Sequence, residues 1–138
     1  MTIDSADVRA SLSRQSFMAL LGAEPVDISP GRVVLEMQFR EDLCQQNGFL
    51  HAGVLTSIAD SACGYAALST MAPGSDVLSV EFKVNLLAPA VGERFRAIGT
   101  VVRSGRTLTV CSGEVLALTH GAADKQVALM QATMITRT

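Results

Sequence analysis

The stretch AGVLTSIADSACGYAALSTM, from Ala52 to Met71, carries a single charged group, Asp60. Wound as a helix, it spreads Val54, Leu55, Ile58, Ala59, Ala62, Tyr65, Ala66 and Leu68 around its circumference and leaves little polar face. A helix of that kind is enclosed by protein. Its many small residues (Gly53, Ala59, Ala62, Gly64, Ala66, Ala67) would let a sheet approach closely, and Ala72-Pro73-Gly74 closes it at about residue 71. Its Ser, Thr and Gly content and its central acid favour a buried helix of a soluble domain over a membrane span of about 20 residues.

After this segment the period changes to two and stays there. Val80, Phe82, Val84 and Leu86 alternate with Ser79, Glu81, Lys83 and Asn85, which sets Ser79 on the outward face of a strand. Pro89 and Gly92 break that strand. Phe95 to Val102 and Leu108 to Leu118 flank a tight turn at Ser104-Gly105, a hairpin signal, and a last strand is expected from about Val127 to Thr136. Upstream, Val33, Leu35, Met37 and Phe39 alternate with Val34, Glu36, Gln38 and Arg40 as a half-buried strand. Pro25 and Pro30-Gly31 mark a loop and a turn. A first helix is expected over about 5–21, capped by Asp4 or Ser5, with Val8, Leu12, Met18 and Leu21 on its apolar side and Gly22 as its stop. Helix, strand, buried helix, then successive strands reads as an α+β domain with an antiparallel sheet.

At 138 residues the chain fits one domain, 1–138, with a core over about 30–137. A net charge of −2 gives no polycationic footprint, so no nucleic-acid partner is expected. Cys44, Cys63 and Cys111 are odd in number and lack metal-type spacing, which points to reduced thiols, no metal site and a cytoplasmic setting. The amino terminus, MTIDSADVRASL, lacks the basic-then-apolar profile of a signal peptide.

Asp60 is the residue that asks for a function. An ionised carboxylate taken from water without a partner costs several kcal/mol or more, so an apolar run seldom holds one without a use for it. The polar stretch CQQNGFLH, Cys44 to His51, leads into the same helix and carries amide and imidazole groups. The competing reading is a buried aspartate satisfied by hydrogen bonds of purely structural value.

Asn47-Gly-Phe-Leu-His51-Ala-Gly-Val-Leu-Thr-Ser-Ile-Ala-Asp60 resembles the signature of the hotdog-fold acyl-CoA thioesterases, most closely the PaaI-like (4-hydroxybenzoyl-CoA thioesterase-like) group. Ser79-Val-Glu-Phe-Lys-Val-Asn-Leu-Leu-Ala-Pro89 resembles the family's second strand, and Val102-Arg-Ser-Gly-Arg-Thr107 its third-to-fourth strand hairpin. Three motifs in consistent order are more specific than one. The resemblance implies a hotdog fold, a five-stranded antiparallel sheet wrapped round the central helix. It also implies a homodimer or homotetramer with two sites at an interface. The implied activity is hydrolysis of a CoA thioester, or of an acyl-carrier-protein thioester, to free acid and thiol. No cofactor is implied, because coenzyme A is part of the substrate.

By that resemblance Asp60 is the general base or nucleophile. Ala52 stands where the family has glycine, and its backbone N–H, with Gly53 at the helix start, would polarise the thioester carbonyl. Gln45 matches the amide that contacts the thioester, with Asn47 as its competitor for substrate. His51 would touch substrate or fix the loop. Ser79 would position the lytic water, and Arg103, Ser104 and Arg106 would meet the CoA phosphates, unless these arginines are only edge charges. His120 is read as surface. Two rivals stand beside this reading. A hydratase or dehydratase of the same fold would use His51 for proton transfer, and a non-catalytic acyl-CoA-binding domain would bind without turnover.

Overall fold

In the computed structural model, which describes residues 1–137, a six-stranded antiparallel sheet curls around one long helix. The elements run α1 (Ser5–Ser13), α2 (Ser16–Leu21), β1 (Glu24–Ser29), β2 (Arg32–Gln38), a 3-10 turn (Glu41–Leu43), α3 (Ala52–Leu68), β3 (Asp76–Leu86), β4 (Arg94–Ser104), β5 (Leu108–Leu118) and β6 (Lys125–Arg137). The strand order is β1-β2-β4-β5-β6-β3, so β3 crosses over from the chain's middle to an outer edge. This is the hotdog architecture, with α3 against the concave face.

The helix lies unusually near the sheet because side chains are missing where the two cross. A Cβ added at Gly99 of β4 would stand 2.3 Å from the backbone of Ala62. Backbone therefore meets backbone there, as the run of small residues in α3 predicts. Around that crossing, Leu35, Met37, Ile58, Phe95, Met130 and Met134 are fully buried, and each such side chain contributes about 1.5–3 kcal/mol through area removed from water.

Three expectations change. The first helix is two: the chain breaks at Arg14–Gln15, with Gln15 in an extended conformation at the start of α2. Asp4 caps α1 and Val8, Leu12, Met18 and Leu21 all reach the core, so the apolar side persists across the break. The second change is β1, where Pro25 suggested a loop. This is an edge strand paired with β2 alone, with a register shift between Pro25 and Asp27. Proline is tolerated there because one side of an edge needs no ladder donor. The sheet thus has six strands rather than five.

The third change concerns Ser79. A bulge in β3 between Ser79 and Glu81 places Val80 out of register with β6. One extra residue in a strand reverses which face the preceding side chains occupy. Ser79 pairs with the buried Met134 and turns inward toward α3, not outward as simple alternation required.

Candidate active site

Asp60 sits midway along α3, partly buried, and receives a 2.6 Å hydrogen bond on Oδ1 from Ser79 Oγ. Its Oδ2 has no hydrogen-bond partner among the described residues. The hydroxyl also approaches Met134 Sδ at 3.4 Å, so it is held from two sides. A cavity of about 280 Å³ opens in front of this pair, bordered by Gln15, Gly64, Tyr65 and Asp76 as well. Ser79 fixes one carboxylate oxygen and leaves the other free to take a proton.

The start of α3 makes a second centre. His51 is its N-cap: Nδ1 accepts a 2.8 Å bond from Gly53 N–H. That contact spends the Gly53 donor. Ala52 is the first helical residue, its φ is not positive, and its N–H has no partner among the described residues. Alanine therefore meets no conformational penalty at this position. Gln45 folds its own carbonyl back, with Oε1 accepting from Asn47 N–H at 2.5 Å and from Phe49 N–H at 3.4 Å. Its Nε2 makes no bond among the described residues, which leaves an amide donor. Gln45 and Ala52 border a cavity of about 410 Å³ with Leu55, Leu86 and Pro89. Asn47 is exposed and does not border it.

The two centres are apart. Asp60 is eight positions along the helix from Ala52, a rise of about 12 Å. The turn of Arg103, Ser104 and Arg106 joins neither cavity: Ser104 Oγ lies 3.2 Å from Thr70 Oγ1, beyond the far end of α3, and both arginines are exposed. His120 is exposed too.

Nothing in the residue pattern singles out Gln15, Ser11 or Ser61, and Tyr65 reads there as core. Gln15 Nε2 donates to Tyr65 Oη at 3.0 Å and Ser61 Oγ donates to Gln15 Oε1 at 3.1 Å. Spacing offered one signal, since Ser61 and Tyr65 are four apart on the helix that carries Asp60. Cys63 and Cys111 are buried, burial pushes both thiols up, Cys111 to about 11, and both stay protonated and inert near neutrality.

Known proteins share this chain's sequence pattern and its fold. Residues 47–123 match the model of the thioesterase superfamily. A solved structure of a thioesterase family protein from Silicibacter pomeroyi is 48% identical, with a TM-score of 0.93 and coverage of 96% of each chain. Acyl-coenzyme A thioesterase 13 of Homo sapiens is 30% identical over 88% of this chain and 85% of its own. The PaaI protein of the E. coli phenylacetic acid degradation operon shares the fold at 20% identity, with a TM-score of 0.84 over 96% of this chain and 92% of its own.

Proposed function

Since the chain belongs to the thioesterase superfamily, as a thioester hydrolase of PaaI-like hotdog fold, we propose that it cleaves acyl-CoA to free acid and thiol with Asp60 as general base. The observation that carries this reading is the Ser79-held carboxylate facing a cavity. Asp60 Oδ2 takes a proton from water as the water oxygen attacks the thioester carbon. The developing oxyanion is met by the free Ala52 N–H at the positive end of α3 and by Gln45 Nε2. The C–S bond then breaks, and the proton held on Asp60 passes to the leaving thiolate. Direct attack by Asp60 would reach the same products through an anhydride.

A general base works within hydrogen-bond reach or through one water, and about 12 Å of helix is too far. We infer that each site is completed by a second copy. β3 is an outer edge whose Leu78, Val80, Phe82 and Leu86 are exposed. An apolar edge of that length invites pairing. Two copies joined β3 to β3 about a two-fold axis cover Phe82 and Leu86, which share the helix-facing side of β3 with Ser79, and run their helices side by side. Asp60 can then meet Gln45 and Ala52 of the partner subunit. Arg103 and Arg106 remain candidates for the CoA phosphates on the same assembly.

Among the described residues no helix is long and apolar enough to cross a membrane. Three free thiols support a cytoplasmic setting. The decisive assay follows thiol release from short, medium, long and aryl acyl-CoAs by the wild type and Asp60→Asn. Turnover that disappears with the carboxylate supports the reading, and equal turnover by both proteins would end it.

A further inference from the structure

Gly64 lies one helical turn beyond Asp60 on the same face of α3. A Cβ added there would meet no atom within 4 Å. Glycine inside a helix weakens it relative to alanine, and the sheet does not require this one. The tight crossings are at Ala62 and Cys63, where Gly99 and Gly113 make the room from the strand side. The gap at Gly64 thus has no origin in the chain's own packing, and it opens into the cavity of about 280 Å³ that Asp60 and Ser79 border.

The far wall comes from the amino-terminal helices, outside the residues 47–123 that match the family model. Gln15, at the break between α1 and α2, donates to Tyr65 Oη at 3.0 Å, and Ser11 Oγ donates to the same oxygen at 3.4 Å. With two donors received, the phenol's own proton has no acceptor among the described residues, and the second Nε2 hydrogen of Gln15 is likewise unspent. The wall therefore offers donors. Asp60 and Asp76 border the same cavity, so a carboxylate at the end of an acyl group would be repelled. Tyr65 is five positions along the helix from Asp60, about 7.5 Å of rise, which a ring or a short chain can span.

We propose that Gly64 and the Gln15–Tyr65 pair set acyl specificity. Gly64 leaves the room beside Asp60, and the pair closes that room with donors. The site thereby selects compact acyl groups that carry an uncharged oxygen acceptor at the far end, over long alkyl chains. This rests on the thioesterase reading above.

The test measures kcat/KM for wild type, Gly64→Ala, Gly64→Leu and Tyr65→Phe on acetyl-, hexanoyl-, 5-hydroxyhexanoyl- and palmitoyl-CoA, with a melting curve for each protein. Wild type should favour 5-hydroxyhexanoyl-CoA and use palmitoyl-CoA poorly. Gly64→Ala should melt no lower than wild type. Gly64→Leu should cut the hexanoyl-to-acetyl ratio by about tenfold or more, the scale of a misplaced methylene or two in a pocket. Tyr65→Phe should cut the hydroxyhexanoyl-to-hexanoyl ratio by about tenfold. Should Gly64→Leu fail to fold, Gly64→Ala decides, with a fall of about threefold or more in the hexanoyl-to-acetyl ratio. Unchanged ratios, or a wild type that prefers palmitoyl-CoA, would overturn the specificity claim while hydrolysis by Asp60 stands. A wild type inert on every thioester, yet folded, would overturn both.

Discussion

Ser79 Oγ stands 2.6 Å from Asp60 Oδ1, donating across the gap between an edge strand and the central helix. The bulge at Val80 is what turns the hydroxyl to that side. Asp60→Asn should lower kcat by about a hundredfold or more with little change in KM, the range of a positioned base. Ser79→Ala should lower kcat less, by about tenfold. The double variant should be no worse than Asp60→Asn alone, because Ser79 acts through the carboxylate. Steady-state kinetics of the three proteins decide it, and additive losses would separate the two residues.

A shared site makes a sharper demand. Asp60→Asn and Gln45→Ala homodimers should each be nearly inactive. After unfolding and refolding together in equal amounts, roughly a quarter of the sites should be intact, since each mixed dimer carries one complete site and one doubly damaged one. Activity that stays at the sum of the two parents would mean that each site is built within one chain.

His51 caps α3 through Nδ1, and the cap can be tested apart from chemistry. His51→Ala should destabilise the protein by about 0.5–2 kcal/mol, and His51→Asn should recover most of that, because asparagine also caps. Activity of His51→Asn should stay within about tenfold of wild type. A proton-transferring histidine, as in a hydratase, would instead cost about a hundredfold or more with either substitution.

If Arg106 holds a CoA phosphate, Arg106→Ala should raise KM for CoA esters and leave kcat and melting unchanged, since it removes uniform binding. The effect should shrink as salt rises. An unchanged KM at low salt would return Arg106 to an exposed turn charge.

Alkali should loosen the fold. Burial raises the Cys111 thiol from an ordinary 9.0 to about 11, and Cys63 shifts in the same direction. The folded chain keeps protons that the unfolded chain releases above pH 9.0, so this contribution is complete below that value and is lost as pH rises toward about 11. Urea midpoints should therefore fall over that window, and the Cys63→Ala/Cys111→Ala pair should flatten the fall. An equally steep decline in the pair would move its cause elsewhere.

What the sequence disclosed and what it hid divide along one line. The central helix was legible because its apolar residues cover every side, and the β4–β5 hairpin because two strand-like runs flank the tight turn at Ser104-Gly105, although the bulge in β4 between Val101 and Arg103 was not. Asp60 was legible as the lone charge in that helix. Features set by tertiary contact were not. The break at Arg14–Gln15 has no glycine or proline to announce it, and Gln15 is instead engaged by Tyr65 and Ser61, some fifty positions away. The strand β1 was masked by Pro25, which an edge tolerates. Ser79 was assigned to the wrong face because alternation counts residues, and a bulge is a residue that alternation does not foresee.

The contact of Gly99 with the Ala62 backbone bears on how such a protein can change over evolutionary time. Most helix–sheet interfaces are cushioned by side chains, and a substitution there lets the helix settle a little higher, lower or askew. Here there is no cushion to exchange, and the pinned point lies two residues from Asp60. Mutations can widen, narrow or repolarise the walls of the cavity while the acid keeps its place over the sheet. Substrate range is free to drift in this lineage, and the position of the carboxylate is not.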